Sequence, residues 1–459
     1  MNNSKYEQLR NEYSLFIYRK YEIESFDNYY LITYYFDVPL LCIFTPKLKI
    51  PKKIIKKLDA YSKYIIFNIG MVELISYWKL TCSRRVVIEA GYLADDQIKW
   101  FKKLYYYGLG ELFYRNGIVV DSESFMEVVC EHISEPLVDI CYMGKGNLIP
   151  VGGGKDSCVT SELLRDFKDS NYFFMINPKE VMLDCVRVAS YDESSILAVE
   201  RILDKKLIDL NSKGFINGHT PFSAIVAFVS LLVAYENDFK YIVLSNEYSA
   251  NEATVIGTNI NHQYSKTYEF ECDFNYYVKS FLKIDINYFS LLRALTELQI
   301  AFLFSKYDKY HGVFKSCNSG SKNKVWKWCC SCPKCLFIYI VLSPFLPRKK
   351  LISIFGEDLF EKEALLDVFI SLIGGSSSKP FECVGSIKEV RMAISKTILA
   401  FEKNRKKLPF LLKYYANNYE LVSFSNDLLI SMNTENNIED MFLEIIKREM
   451  TNYVPKDNR

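Results

Sequence analysis

The chain lacks a charge excess: 57 Lys and Arg stand against 55 Asp and Glu in 459 residues, a formal charge of +2. No field of one sign steers it as a whole towards nucleic acid or a membrane, so partner choice must rest with a local site. It also lacks a long apolar run, because the longest, Ser223 to Tyr235 and Cys335 to Leu346, fall short of the ~20 residues that span a bilayer. The opening Met1-Asn2-Asn3-Ser4-Lys5 is polar and no apolar segment of the export type follows it, so a soluble, cytoplasmic protein is expected. Internal repeats and low-complexity tracts are missing. So are a Walker A loop and the dinucleotide-binding glycine spacing, which excludes the two commonest phosphate-binding signatures.

What is present is enough apolar residue, 49% of the chain, for more than one domain. Residues 1–145 are rich in Tyr and Phe, with strand-like runs at Tyr29 to Phe36, Val38 to Phe44 and Tyr64 to Ile69. They read as an α+β accessory domain, and the basic run Lys47 to Lys57 as a solvated loop and helix face. From 146 to 459 the pattern changes. A strand from Leu148 to Val151, a helix from Ser157 to Phe167 and a strand from Tyr172 to Ile176 come first. A helix from about Ser194 to Leu203, another from Pro221 to Tyr235, a strand from Tyr241 to Ser245 and a helical stretch from Asn287 to Phe304 follow. Such alternation predicts an α/β domain with a parallel sheet covered on both faces, with helices dominating after Leu336.

Gly152-Gly153-Gly154-Lys155-Asp156-Ser157 links the first of these strands to the first helix. Glycines at that bend leave backbone N–H groups open to a phosphate, and the helix dipole adds attraction. Asp156 would repel a polyphosphate unless a cation bridged them, so it implies Mg²⁺, while Lys155 and the Ser157 hydroxyl are placed to meet phosphate oxygens. The loop resembles that of the PP-loop ATP pyrophosphatases, Ser-Gly-Gly-x-Asp-Ser, with Gly152 in place of the first Ser.

The thirteen cysteines are unevenly spread. Cys42, Cys82 and Cys185 read as core residues. Cys317, Cys329, Cys332 and Cys335 supply four thiolates at spacings that close a tetrahedral, structural zinc site, with Cys330 supernumerary and Trp326, Trp328 and Pro333 as its shield. An iron–sulfur cluster is the alternative occupant. Several PP-loop enzymes that activate carboxylates carry a comparable knuckle.

The runs Tyr107-Gly108-Leu109-Gly110-Glu111 to Asn116, Asn217-Gly218-His219-Thr220-Pro221, Ser245-Asn246-Glu247 to Glu252, Asn261-His262-Gln263-Tyr264-Ser265-Lys266, Tyr288 to Arg293, Cys332-Pro333-Lys334-Cys335 and Pro380-Phe381-Glu382-Cys383-Val384-Gly385 resemble the MurL family across nearly the whole chain. That resemblance implies a PP-loop (HUP-like) ATP-binding catalytic domain after an accessory domain. It implies a nucleotide-linked muramoyl dipeptide as substrate, its terminal L-glutamate being inverted while ATP becomes AMP and diphosphate. No nucleic acid, membrane or protein partner is implied. For the proton transfer His262, Lys266 and Cys383 are the candidates, Glu247 and Glu252 suit magnesium or the substrate amide, and Arg293 either grips a substrate anion or pairs with Glu297. Two other readings stay open: a PP-loop ligase or thiolase in which ammonia or sulfur captures the adenylate, and a non-catalytic binding protein.

Overall fold

The computed structural model describes residues 3–130, 142–262, 264–317, 320, 327–423 and 429–453. Trp326, Gln263 and the tail beyond Tyr453 lie outside them. Eleven strands are described: β1 (Leu15–Ser25), β2 (Tyr29–Val38), β3 (Cys42–Phe44), β4 (Lys47–Pro51), β5 (Arg85–Ile88), β6 (Glu127–Cys130), β7 (Asn147–Pro150), β8 (Asn171–Ile176), β9 (Ile196–Ile202), β10 (Tyr241–Leu244) and β11 (Asn287–Ser290). They form one sheet in the order β11-β10-β7-β8-β9-β4-β2-β1-β5-β6, with β3 on β2. From β11 to β9 every pairing is parallel, whereas β4 joins β9 antiparallel.

Alternation along the parallel strands sets the layers. Leu148, Phe174, Ile242 and Leu244 enter one core with the helices Ala60–Trp78 and Phe222–Glu236. Ile149, Phe173, Met175 and Val243 enter another with the helices Lys155–Leu163, Glu297–Lys306, Pro333–Leu342 and Ile387–Lys403. Successive residues of a strand point to opposite faces, so both faces are covered and the strands read as continuous apolar runs. After β7 the chain winds to β8 and β9 on one side, then returns to β10 and β11 on the other. The carboxyl ends of β7 and β10 therefore flank the crevice where strand order reverses, the place where open α/β sheets bind ligands.

Four sequence expectations are corrected. Tyr64 to Ile69 lies inside the helix Ala60–Trp78, which is buried on nearly every side so that no periodicity marks it. Asp59 starts that helix by accepting from the Ser62 amide at 2.9 Å. The expected helix from Ser194 to Leu203 is β9, where pairing with β8 and β4 overrides a helix-prone composition. Lys47 to Pro51 is β4 rather than a loop. The stretch from Asn287 to Phe304 is β11, a turn at Leu291–Ala294, then the helix Glu297–Lys306 capped by Thr296. Among the described residues no helix is long and apolar enough to cross a membrane.

At the seam between the two parts of the sheet, Arg201 of β9 donates both Nε and Nη2 to Glu73 of the helix Ala60–Trp78, each at 2.7 Å. Both groups are largely buried, and removal of one strands the other charge. Glu73→Ala is expected to cost about 3–5 kcal/mol of unfolding free energy in a denaturant titration. A loss below about 1 kcal/mol would mean that the seam does not depend on the pair.

Candidate active site

The glycine loop leaves β7 at the crevice. Gly153 has φ +78°, a conformation that favours glycine, and a Cβ there would lie 3.0 Å from Val181 Cγ1. A Cβ on Gly154 would lie 2.7 Å from Ser316 Oγ, so the segment before the cysteine knuckle is pressed onto the loop. Gly154 caps the helix Lys155–Leu163 with no side-chain hydrogen bond, so no side chain competes for the first-turn amides. Beside them lies a cavity of about 320 Å³. Gly152, Gly154, Asp156 and Ser157 line one wall, Lys266, Lys315 and Lys334 bring three ammonium groups, and Phe174, Met182, Phe222, Val226 and Leu244 form an apolar end.

Lys155 does not face this cavity. It is fully buried and paired with Asp156 and, at 2.6 Å, with Glu297. Burial disfavours its charge, but the two carboxylates outweigh that and hold the ammonium above the usual lysine range. The Ser157 hydroxyl donates to the Gly154 carbonyl at 3.0 Å. The side-chain cations that line the cavity are thus lysines remote in sequence from the loop.

Arg293, also fully buried, is withdrawn too. It donates to the Glu247 carbonyl at 2.8 Å and the Lys266 carbonyl at 2.6 Å, and it faces Glu271 at 3.4 Å rather than Glu297. It fixes the backbones that carry Glu247 and Lys266. Burial and the Asp156 charge push the Glu247 carboxyl up. Glu252 is paired with Lys379 at 2.5 Å.

Lys266 joins the cavity to a second cluster. Its Nζ donates to Cys383 Sγ at 3.0 Å. Cys383 is brought there because its loop is pinned to the 254–262 segment by the Val255–Ser378 bridge and by the Lys379 amide donating to the Thr254 carbonyl. His262 lies within electrostatic reach of the same sulfur, and its Nδ1 meets Glu111 Oε2 at 2.5 Å. Arg115 Nε holds the other Glu111 oxygen at 2.8 Å. Burial opposes charge on both members of the Cys383–His262 pair. Cys383 and the hydrogen-bonded Glu111 nevertheless push His262 up to about 9, while Lys266, Lys334 and His262 hold the Cys383 thiol well below its usual range. Both shifts favour the charged forms of the two groups. His219 lies against His262 with its ring tilted, 4.3 Å between ring centroids, and burial with the neighbouring charge pushes it down to about 4. Glu111, His219 and His262 gather ligand-type atoms within 4.8 Å, two of which are already paired through the Glu111–His262 hydrogen bond.

Glu111, His219, Lys315 and Lys334 were not singled out by the sequence reading. Glu111, His219 and Lys334 stood in motif runs without a role, and histidine scarcity was the available signal, since two of the chain's four histidines meet here.

The knuckle lies under the same cavity. Cys317 and Cys332 are 3.9 Å apart at sulfur, Cys329 and Cys335 3.7 Å, and Cys332 and Cys335 3.5 Å. Thiolates on a tetrahedral zinc at about 2.3 Å would stand about 3.8 Å apart. The amides of Gly320 and Cys329 donate to Cys317 Sγ, as suits a thiolate ligand, and Cys330 Sγ turns away to the Phe355 carbonyl. The donor set fits a structural zinc. Lys334 sits between two of the ligands and Ser316 precedes another, so the knuckle presents both to the cavity.

Fold and site together define an α/β protein with a glycine-loop cavity at the switch point of a parallel sheet and a four-cysteine knuckle beneath it. Family models of the MurL N-terminal domain and the MurL C-terminal domain match residues 7–291 and 313–425. The chain belongs to the MurL family. It is 33% identical over 332 residues to the UDP-N-acetyl-alpha-D-muramoyl-L-alanyl-L-glutamate epimerase of Xanthomonas oryzae pv. oryzae, covering 71% of this chain and 72% of that protein. Proteins of the same name from Micromonospora sp. and Salinispora tropica are 36% and 37% identical; the matches cover 71% and 70% of this chain and 72% and 70% of theirs.

Cys332→Ser is expected to lose bound zinc and about 4 kcal/mol or more of stability, whereas Cys330→Ser keeps its metal; elemental analysis and unfolding measure both. The His262 ring should titrate near 9 by NMR and fall towards 6.5 in Glu111→Gln. Since the folded value lies above the unfolded one, its pairing stabilises the fold fully below about pH 6.5 and is lost as pH rises through about 9.

Proposed function

We propose that the protein is an ATP-dependent epimerase that inverts the terminal L-glutamate of UDP-N-acetylmuramoyl-L-alanyl-L-glutamate through an acyl-adenylate, releasing AMP and diphosphate, in peptidoglycan precursor synthesis. One observation carries this reading: Lys266 lines the glycine-loop cavity and touches Cys383, so the cavity beside the glycine loop and the Cys383 sulfur share one ammonium group. The names of the relatives supply the substrate. In this reading residues 146–459 are a PP-loop (HUP-like) catalytic part, and residues 1–145 an accessory part that contributes Glu111.

The chemistry follows from charge. Removing the α-proton next to a carboxylate would place two negative charges side by side. Attack of the carboxylate on the α-phosphorus of ATP expels diphosphate and leaves a neutral acyl group whose enolate is far easier to form. The apolar end of the cavity suits adenine, the uncapped amides and Lys266, Lys315 and Lys334 suit the phosphates. Asp156 would hold magnesium, which neutralises the diphosphate as it leaves. Lys155, with Glu297, sets the position of Asp156 rather than touching phosphate. A second cavity of about 520 Å³, lined by Tyr248, Ser249 and Glu252 beside Glu247, gives room for the rest of the substrate.

In deuterated water with ATP and the precursor, deuterium is expected at the glutamate α-carbon with no other mass change and with AMP formed. Asp156→Ala should lower isotope uptake and AMP formation together by about 100-fold or more. Capture of ammonia or sulfur in the product would replace this reading with that of a ligase or thiolase.

A further inference from the structure

Resting on that function, we propose that Cys383 is a covalent nucleophile that takes the activated glutamyl group from the adenylate as a thioester, with His262 as its ion-pair partner and Glu111 as the carboxylate that positions His262.

The geometry separates this role from simple proton exchange. Inversion by two groups needs them on opposite faces of the α-carbon, with the substrate between them. Cys383 and Lys266 are in contact at 3.0 Å, and His262 acts on the same sulfur, so the three candidates crowd one side. A sulfur nucleophile, an imidazole in contact with it, and a third group orienting the imidazole form the arrangement of covalent acyl transfer. The three groups are present: Cys383, His262 within electrostatic reach of it, and Glu111 2.5 Å from the imidazole, its other oxygen fixed by Arg115. Lys266 touches the sulfur at 3.0 Å and also lines the cavity in which the adenylate phosphate would sit, so nucleophile and leaving group share one cation.

The step balances. The Cys383 thiolate adds to the acyl carbonyl, a C–S bond forms, the C–O bond to phosphate breaks, and AMP leaves as its anion without needing a proton. His262 stays an imidazolium throughout, stabilised by Glu111. The thioester α-carbon remains acidic, because sulfur feeds little electron density into the carbonyl, so proton removal and return take place on a tethered substrate. Water then adds to the carbonyl, the C–S bond breaks, the thiolate is restored, and the carboxylate product leaves with its protons passed to solvent.

The wild-type protein, mixed with ATP, magnesium and UDP-N-acetylmuramoyl-L-alanyl-L-glutamate and quenched in acid, is expected to carry an adduct of substrate minus water on the peptide containing Cys383, discharged by hydroxylamine as the hydroxamate. Cys383→Ala should lose the adduct and lower epimerisation by about 10⁴-fold or more. Glu111→Gln should slow alkylation of Cys383 by iodoacetamide at neutral pH roughly tenfold and move its pH profile, which a merely structural carboxylate would not do. Wild-type ATP–diphosphate exchange without any adduct, or an adduct that persists in Cys383→Ala, overturns the thioester. Absence of precursor-dependent exchange in the wild type overturns the adenylating function itself. The adduct is read in the wild type, so the test survives a variant that fails to fold.

Discussion

The buried ion pair between Lys155 and Glu297 is the constraint on which the site depends. An ammonium with no solvent exposure is costly unless its charge is matched, and here two carboxylates match it. The pair ties the first turn after the glycine loop to the start of the helix Glu297–Lys306. From there the link continues: the Glu297 amide donates to Glu389 at 2.6 Å, and a Cβ on Gly385 would come within 3.0 Å of Glu297 Cγ. Gly385 and Glu389 flank the start of the helix Ile387–Lys403, just after Cys383. The glycine loop and Cys383 are thus held in one frame through a buried charge that does not line the cavity.

Two further supports converge on the same cavity from outside. Arg293 fastens the carbonyls of Glu247 and Lys266, so the loops after β10 and before Tyr268 cannot drift apart without exposing a buried guanidinium to unmet hydrogen bonds. The knuckle does the equivalent for Lys334 and Ser316. A four-thiolate metal site has no open position and does no chemistry itself, but it presents a lysine between two of its ligands to the cavity. The knuckle is therefore coupled to the cavity through geometry, by way of Lys334 and Ser316.

How much of this was legible in the sequence depended on distance along the chain. The glycine loop is a local object: a strand, three glycines and a helix read directly from neighbours, and the structure places that bend at the switch point. The knuckle is nearly local, with three of four cysteines within seven positions. By contrast the Glu111–His262 contact spans 151 positions, and no spacing rule announces it. Lys155 and Arg293 looked like ligand-binding cations because residue type suggests chemistry, while burial, which sequence does not print, assigned them to the framework. The helix Ala60–Trp78 was misread because burial on nearly every side erases its periodicity, and β9 because pairing with β8 and β4 overrides a helix-prone composition.

The cluster also explains why one sheet runs through both parts of the chain. Glu111 comes from the first part, His262 from the loops after β10, and Cys383 from the loop before the helix Ile387–Lys403. Each alone is ordinary. An isolated buried thiol stays protonated and an isolated buried imidazole stays neutral, because desolvation disfavours charge in both. Brought together with Lys266 they exchange that penalty for mutual attraction, so the ionised pair exists only when all three regions are docked. The antiparallel β4–β9 pairing and the Glu73–Arg201 bridge enforce that docking at the far side of the sheet. On the proposed thioester route, a sulfur whose charge is favoured only by three docked regions stays inert in a partly folded chain and is activated only beside the cavity.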